Sequence, residues 1–244
     1  MRQLAAIVIL FVLSCAPGCA RPPMTSEPFA DTTIAPLADA VVSGDAAEIR
    51  RQLDGGANPQ TPGSDGASLL VWTIDRGLVD GALALLEGGA DPNHPDADGT
   101  TPVHAAAFAD DPALLRAVLA QGGDPNGRNA VTGASPLAAS ILNRNSEPMR
   151  ILLEAGADPD QADRNQDAPL HVAARTNKGE AILALLEHGA SPLATNSRGA
   201  SFQRHYFNYR RELLNERALD ERRRIVAWLK ANGIPLEANV DADY

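Results

Sequence analysis

The chain has 244 residues and a formal net charge of −10. Phosphate binding needs a basic footprint, so this balance excludes nucleic acid as the expected partner. Hydrophobic residues make up 44% but aromatics only 4%, which implies a core of Ala and Leu; the 18 prolines and 20 glycines would mean disorder if scattered.

Met1–Leu13 carries one early cation, Arg2, and then the apolar run Leu4–Leu13. Ten apolar residues are too few to cross a bilayer, which takes about 20. The pattern is that of an export signal. The two cysteines of the chain, Cys15 and Cys19, follow at once. Val12-Leu13-Ser14-Cys15 resembles the lipobox of bacterial lipoproteins, in which a small residue precedes a cysteine that becomes diacylated. Ala16-Pro17-Gly18-Cys19 is the alternative, with Pro17 an awkward fit. The resemblance implies a lipoprotein signal peptide at 1–14 and a lipid on Cys15, or alternatively on Cys19. Ala16, where retention in the inner membrane uses Asp, implies an outer-membrane anchor with the protein facing the periplasm. No disulfide is expected, since no cysteine follows Cys19. Residues 15–33 hold Pro17, Pro22, Pro23 and Pro28 without apolar periodicity and read as a tether.

A four-residue tag then recurs: GANP at Gly56–Pro59, GADP at Gly89–Pro92, GGDP at Gly122–Pro125, GADP at Gly156–Pro159 and GASP at Gly189–Pro192. The steps are 33, 33, 34 and 33 residues, the signature of a stacked-repeat protein. Units fall at about 34–62, 63–95, 96–128, 129–162 and 163–195, with an atypical cap at 196–238 and an acidic tail at 239–244. The third unit is the clearest. Thr101 is placed to cap a first helix, Pro102 to occupy its N1 position, and Ala105–Ala107 to keep it thin. Leu114, Leu115, Val118 and Leu119 recur at helical spacing, and Gly122 permits the positive φ that ends a second helix.

Thr100-Thr-Pro-Val-His-Ala and Ala168-Pro-Leu-His-Val-Ala, each followed by a Leu-rich helix and a glycine tag, resemble the ankyrin-repeat family. The resemblance covers residues 34–236 and implies an all-α solenoid of five to six helix-turn-helix units joined by hairpin loops. The first unit, with charged residues among Ile49 and Leu53, suits an N-terminal cap. The second has lost Pro and His at Ser68–Trp72.

The sixth unit is long: Gly233 lies 44 residues beyond Gly189. Ser201 is placed to cap a helix carrying Phe202, Tyr206, Tyr209 and Leu213 on one face, and Ile225, Val226, Trp228 and Leu229 mark a second. This reads as an elongated capping helix pair. From Asn196 to Lys230 nine cations oppose four carboxylates, so one end of the array is basic and the remainder acidic.

No residue pattern makes a case for catalysis, a cofactor or a metal. The family places His104 and His171 at a position that hydrogen-bonds neighbouring loops. Asp91, Asp124 and Asp158 read as loop residues before Pro rather than a calcium ladder. The resemblance implies instead a concave binding face. Carried over by motif position, that face holds Asp75, Arg76, Ala97, Thr100, Phe108, Leu142, Asn143, Arg164, Arg175 and Thr176. The expected function is a non-enzymatic, monomeric protein-binding module with a basic partner. The expected role is immunity against a periplasm-acting toxin; the alternative is a periplasmic scaffold or chaperone in stress response or envelope assembly.

Overall fold

A computed structural model describes residues 26–109, 111–143, 145–209 and 211–240. The signal peptide at 1–14, both cysteines and residues 241–244 of the acidic tail lie outside the described residues. The helices come in pairs: α1 (Ala35–Ser43) with α2 (Ala46–Asp54), α3 (Leu69–Asp75) with α4 (Val79–Glu87), and α5 (Pro102–Phe108) with α6 (Pro112–Ala120). Then follow α7 (Pro136–Leu142) with α8 (Glu147–Glu154), α9 (Pro169–Arg175) with α10 (Gly179–Glu187), and α11 (Phe202–Tyr206) with α12 (Glu216–Ala231).

The local reasons recur from pair to pair. Thr101, Ser135 and Ser201 accept a backbone N–H three residues on, and Pro102, Pro136 and Pro169 open their helices. Where Ala168 replaces the hydroxyl, the His171 ring takes over, its Nδ1 accepting from Ala168 N at 3.1 Å. Each second helix ends at the first glycine of the tag; Gly122 sits at φ 89°, which a side chain would strain.

Each first helix packs on its neighbours in the stack, α3 on α5, α5 on α7, α7 on α9 and α9 on α11. These helices form an inner layer. Behind them α2, α4, α6 and α8 pack in succession. Leu69, Val103, Leu137, Leu170 and Phe202 are buried between the layers, one per unit. The hairpin fingers are stitched by one amide each: Ala97 N to Gly66 O at 3.0 Å, Ala130 N to Gly99 O at 3.2 Å, Arg164 N to Thr132 O at 3.1 Å, and Ser197 N to Asn165 O at 2.9 Å. Asn93 and Asn126 add side-chain links to the following tags, reaching Gly122 O and Gly156 O.

Two parts of the sequence reading need correction. Residues 26–33 were expected to belong to a tether, but they fold onto the array. Phe29 is fully buried and meets Trp72 edge-on at 5.6 Å. Ser64 N donates to Pro28 O at 3.1 Å, so this segment stands where a preceding finger would stand. At the other end, the elongation lies in α12, whereas α11 has only five residues. Tyr209 and Leu213 do not continue its buried face; Leu213 is 79% exposed. Where the helix stops, the Arg222 guanidinium, itself fully buried, donates to Tyr206 O at 3.0 Å and to Asn177 Oδ1 at 2.9 Å. Residues 234–240 then cover the last unit through Gln203, which donates to Pro235 O and accepts from Glu237 N.

Phe29→Ala is expected to destabilise the protein by about 3–5 kcal/mol, the range for emptying a buried Phe site. Urea unfolding of the two proteins at one pH checks it; equal midpoints would return residues 26–33 to the tether.

Candidate interaction groove

Taken at the repeat period, one position near the end of each inner helix is Asp75 in α3, Phe108 in α5, Leu142 in α7 and Arg175 in α9. One turn earlier the matching positions are Trp72, Ala105, Ala139 and Val172. Apart from Trp72, which lines neighbouring hollows, the two ladders form the rim and floor of a concave groove of about 410 Å3. Thr100, Asn129, Thr132 and Thr176 complete its walls. Its centre is shaped by side-chain size. Alanines at 105, 134, 138 and 139 leave the floor low, and Phe108 and Leu142 stand above it, 59% and 53% exposed.

The two ends differ electrically. Asp75 forms no ion pair with any described residue. Burial and the facing Asp96 carboxylate push its pKa up, against the pull of Arg76. Arg76 itself lies over the Trp72 ring at 4.2 Å. At the opposite end Arg175 is held by Asp167 at 2.5 Å. The groove therefore offers an unneutralised carboxylate on one side and a neutralised cation on the other.

His104 closes the floor from beneath. Its Nε2–H donates to Ala134 O at 3.0 Å, which leaves Nδ1 to accept from the Thr101 hydroxyl at 2.8 Å. Burial holds this ring below the ordinary imidazole range, although the Ala134 bond and Asp96 pull it up. His205 in α11 is lowered for a similar reason, by burial and by the charges of Arg175 and His171. His171 repeats the His104 arrangement, donating to Ala200 O at 3.1 Å. Both family histidines therefore tie an inner helix to the next finger and have no nitrogen left for chemistry. Asp91, Asp124 and Asp158 accept N–H groups of their own loops at 2.8–2.9 Å.

Of the residues assigned to the face by motif, Asp75, Thr100, Phe108, Leu142, Arg175 and Thr176 meet in this one groove. The others do not. Arg76 turns to Trp72 and a separate hollow shared with Glu27 and Asp31. Ala97 lies in an adjacent hollow with Asp75, Asp96 and Asp98. Arg164 spends its guanidinium on Ala130 O at 2.6 Å, bracing two fingers. Asn143 is buried, and its amide donates to Phe108 O and Ala109 O, each at 3.0 Å. It is a clasp between repeats and not a surface residue. The floor residues Ala138 and Ala139 and the finger residues Asn129 and Thr132 were missed, although the repeat period places them opposite Phe108.

Residues 104–196 match the family model for ankyrin repeats, in three copies. The crystal structure of the ankyrin repeat domain of Bcl-3, described as a unique member of the IkappaB protein family, resembles this chain with a TM-score of 0.69. The likeness covers 82% of this chain and 86% of that one at 27% identity. Residues 104–196 are thus ankyrin repeats, and the fold is an ankyrin solenoid. Protein PhlB of Serratia liquefaciens is 39% identical over 152 residues, which are 62% of this chain and 66% of that protein. The matched part thus spans just under two thirds of that relative. Ankyrin repeats indicate a protein-interaction module.

Two outcomes follow from the geometry. The lowered His104 and His205 rings bind fewer protons folded than unfolded, so stability is greatest above the ordinary histidine pKa of about 6.5 and declines as pH falls below it. Urea midpoints between pH 7.5 and 5.5 should show this decline, and His104→Gln should lessen it. Asn143→Ala should cost about 1–3 kcal/mol of stability by stranding two carbonyls. The same variant should leave the exposure of Phe108 to solvent, read by quenching of a fluorophore placed there, unchanged.

Proposed function

We propose that this protein is a non-enzymatic binding module of the bacterial envelope, held by a lipid on Cys15, or on Cys19, and facing the periplasm from the outer membrane. Its concave groove grips a basic protein partner. The observation that carries this reading is the exposed Phe108–Leu142 pair over an alanine floor, bordered by Asp75 with Asp96 in the adjacent hollow. Exposed apolar side chains grouped in a concavity mark an interaction surface, and an aromatic anchor concentrates interface energy. A stack of six helical pairs offers length enough for a standard interface, about 1,200–2,000 Å2 in total. The acidic setting speeds encounter with a cationic partner. In biological terms the reading is an immunity protein that occupies and neutralises a toxin acting in the periplasm. The anchor and its orientation rest on the leader sequence alone.

The test is site-directed photocrosslinking in intact cells. A photoreactive phenylalanine at position 108 should capture one discrete envelope protein, and the same probe at Leu83 on the outer helix layer should not. Capture should fall at least tenfold with Leu142→Ala. Equal products from both sites would refute the groove. Survival of a deletion strain exposed to the captured protein then decides the immunity role.

A further inference from the structure

We infer, on the reading just given, that the element held in the groove is an extended, polyproline-II-like segment. It carries two apolar side chains three positions apart and a lysine or arginine three positions further on, seated against Asp75.

The repeat spacing selects the conformation. Packed helices stand about 8–10 Å apart, so Phe108 and Leu142, on successive inner helices, ask for guest side chains at that pitch. A polyproline II segment has three residues per turn and rises about 3.1 Å per residue, so positions i and i+3 share a face roughly 9.3 Å apart. A β-strand alternates faces every residue and advances about 3.3 Å, so same-face side chains fall roughly 6.6 or 13 Å apart. An α-helix would match only at i and i+7. Three residues of polyproline II thus span one repeat step, whereas a helix needs seven.

The ladder fixes where charge belongs. One repeat beyond Phe108 is Asp75, one repeat beyond Leu142 is Arg175. Asp75 shares a hollow with Asp96 and has no ion-pair partner among the described residues, so a guest cation relieves a like-charge contact there. Arg175 is already bridged by Asp167, so no matching carboxylate is required on the other side. Selection is one-sided: cation, apolar, apolar, read from α3 towards α7.

Random dodecapeptides displayed on phage, panned against the full chain in detergent micelles, test this. Enriched peptides are expected to share two apolar residues at i and i+3 with Lys or Arg three positions outside one of them. Asp75→Lys should weaken such peptides at least tenfold by fluorescence anisotropy, with helical circular dichroism unchanged, and Asp96→Asn should weaken them less. Apolar residues seven apart, absence of any cation preference, indifference to Asp75→Lys, or failure to enrich peptides would each overturn the inference. Joint substitution of Phe108 and Leu142 by Ala separates the two levels. If it abolishes binding while Asp75→Lys does nothing, only the guest pattern fails. If peptides still bind, the groove is not the site.

Discussion

Each helical pair in this chain has two apolar flanks and can cover neither by itself. Leu114, Leu115 and Val118 of one pair are buried only because the pairs before and after supply the other wall. This nearest-neighbour dependence sets the period, since a unit that changed length in its packing helices would lose contact on both sides. It also makes the two ends the costly places. At the first end Phe29 plugs the open flank beside Trp72, and Pro28 supplies the carbonyl that a missing finger would have given to Ser64. At the last end residues 234–240 fold back over Gln203. Both ends borrow irregular chain to do what a repeat does elsewhere.

The same dependence divides the residues of each inner helix into two sets. Buried positions of the inner helices include alanines and a histidine whose two nitrogens are both engaged. The position at the helix end, turned to the concave side, has no such duty. It holds Asp, Phe, Leu and Arg in four successive units without harm to the stack. Chemical variety at one register, beside near-uniformity at the adjacent one, is what a scaffold yields when its surface is shaped for something other than itself.

The period, the caps and the concave register could be read in the sequence because each has a local cause that repeats. Thr101, Pro102 and Gly122 act within a few residues of themselves. What escaped the reading acts once, or at long range. Phe29 sits in a proline-rich stretch with no periodic partner to reveal its burial. Asn143 looks like a polar helix end, yet its amide serves carbonyls 34 and 35 residues earlier. Tyr209 and Leu213 keep helical spacing after Phe202, but the helix ends at Tyr206, whose carbonyl accepts from Arg222, sixteen residues on. Apolar spacing cannot register such competition. Six of the ten residues assigned to the binding face line the groove, because they follow the register; Arg76, Asn143 and Arg164 depart from it because a nearer partner claims each side chain, and Ala97 lies in the adjacent hollow.

Charge acts on this molecule at two ranges, and they have different consequences. Between residues 26 and 100 there are thirteen carboxylates and three cations, whereas cations outnumber carboxylates beyond residue 196. Such an asymmetry orients an approaching cationic protein towards the Asp75 end. It is spread over exposed side chains, however, and salt screens charges separated by more than about 8–10 Å. The gradient therefore governs encounter and not recognition. Discrimination at contact falls to the few charges inside the groove. There Arg175 has been cancelled by Asp167, whereas Asp75 has no ion-pair partner among the described residues. On the proposed reading, a guest that satisfies the apolar centre but brings a carboxylate to that end would meet Asp75 with Asp96 beside it, a like-charge contact that disfavours it.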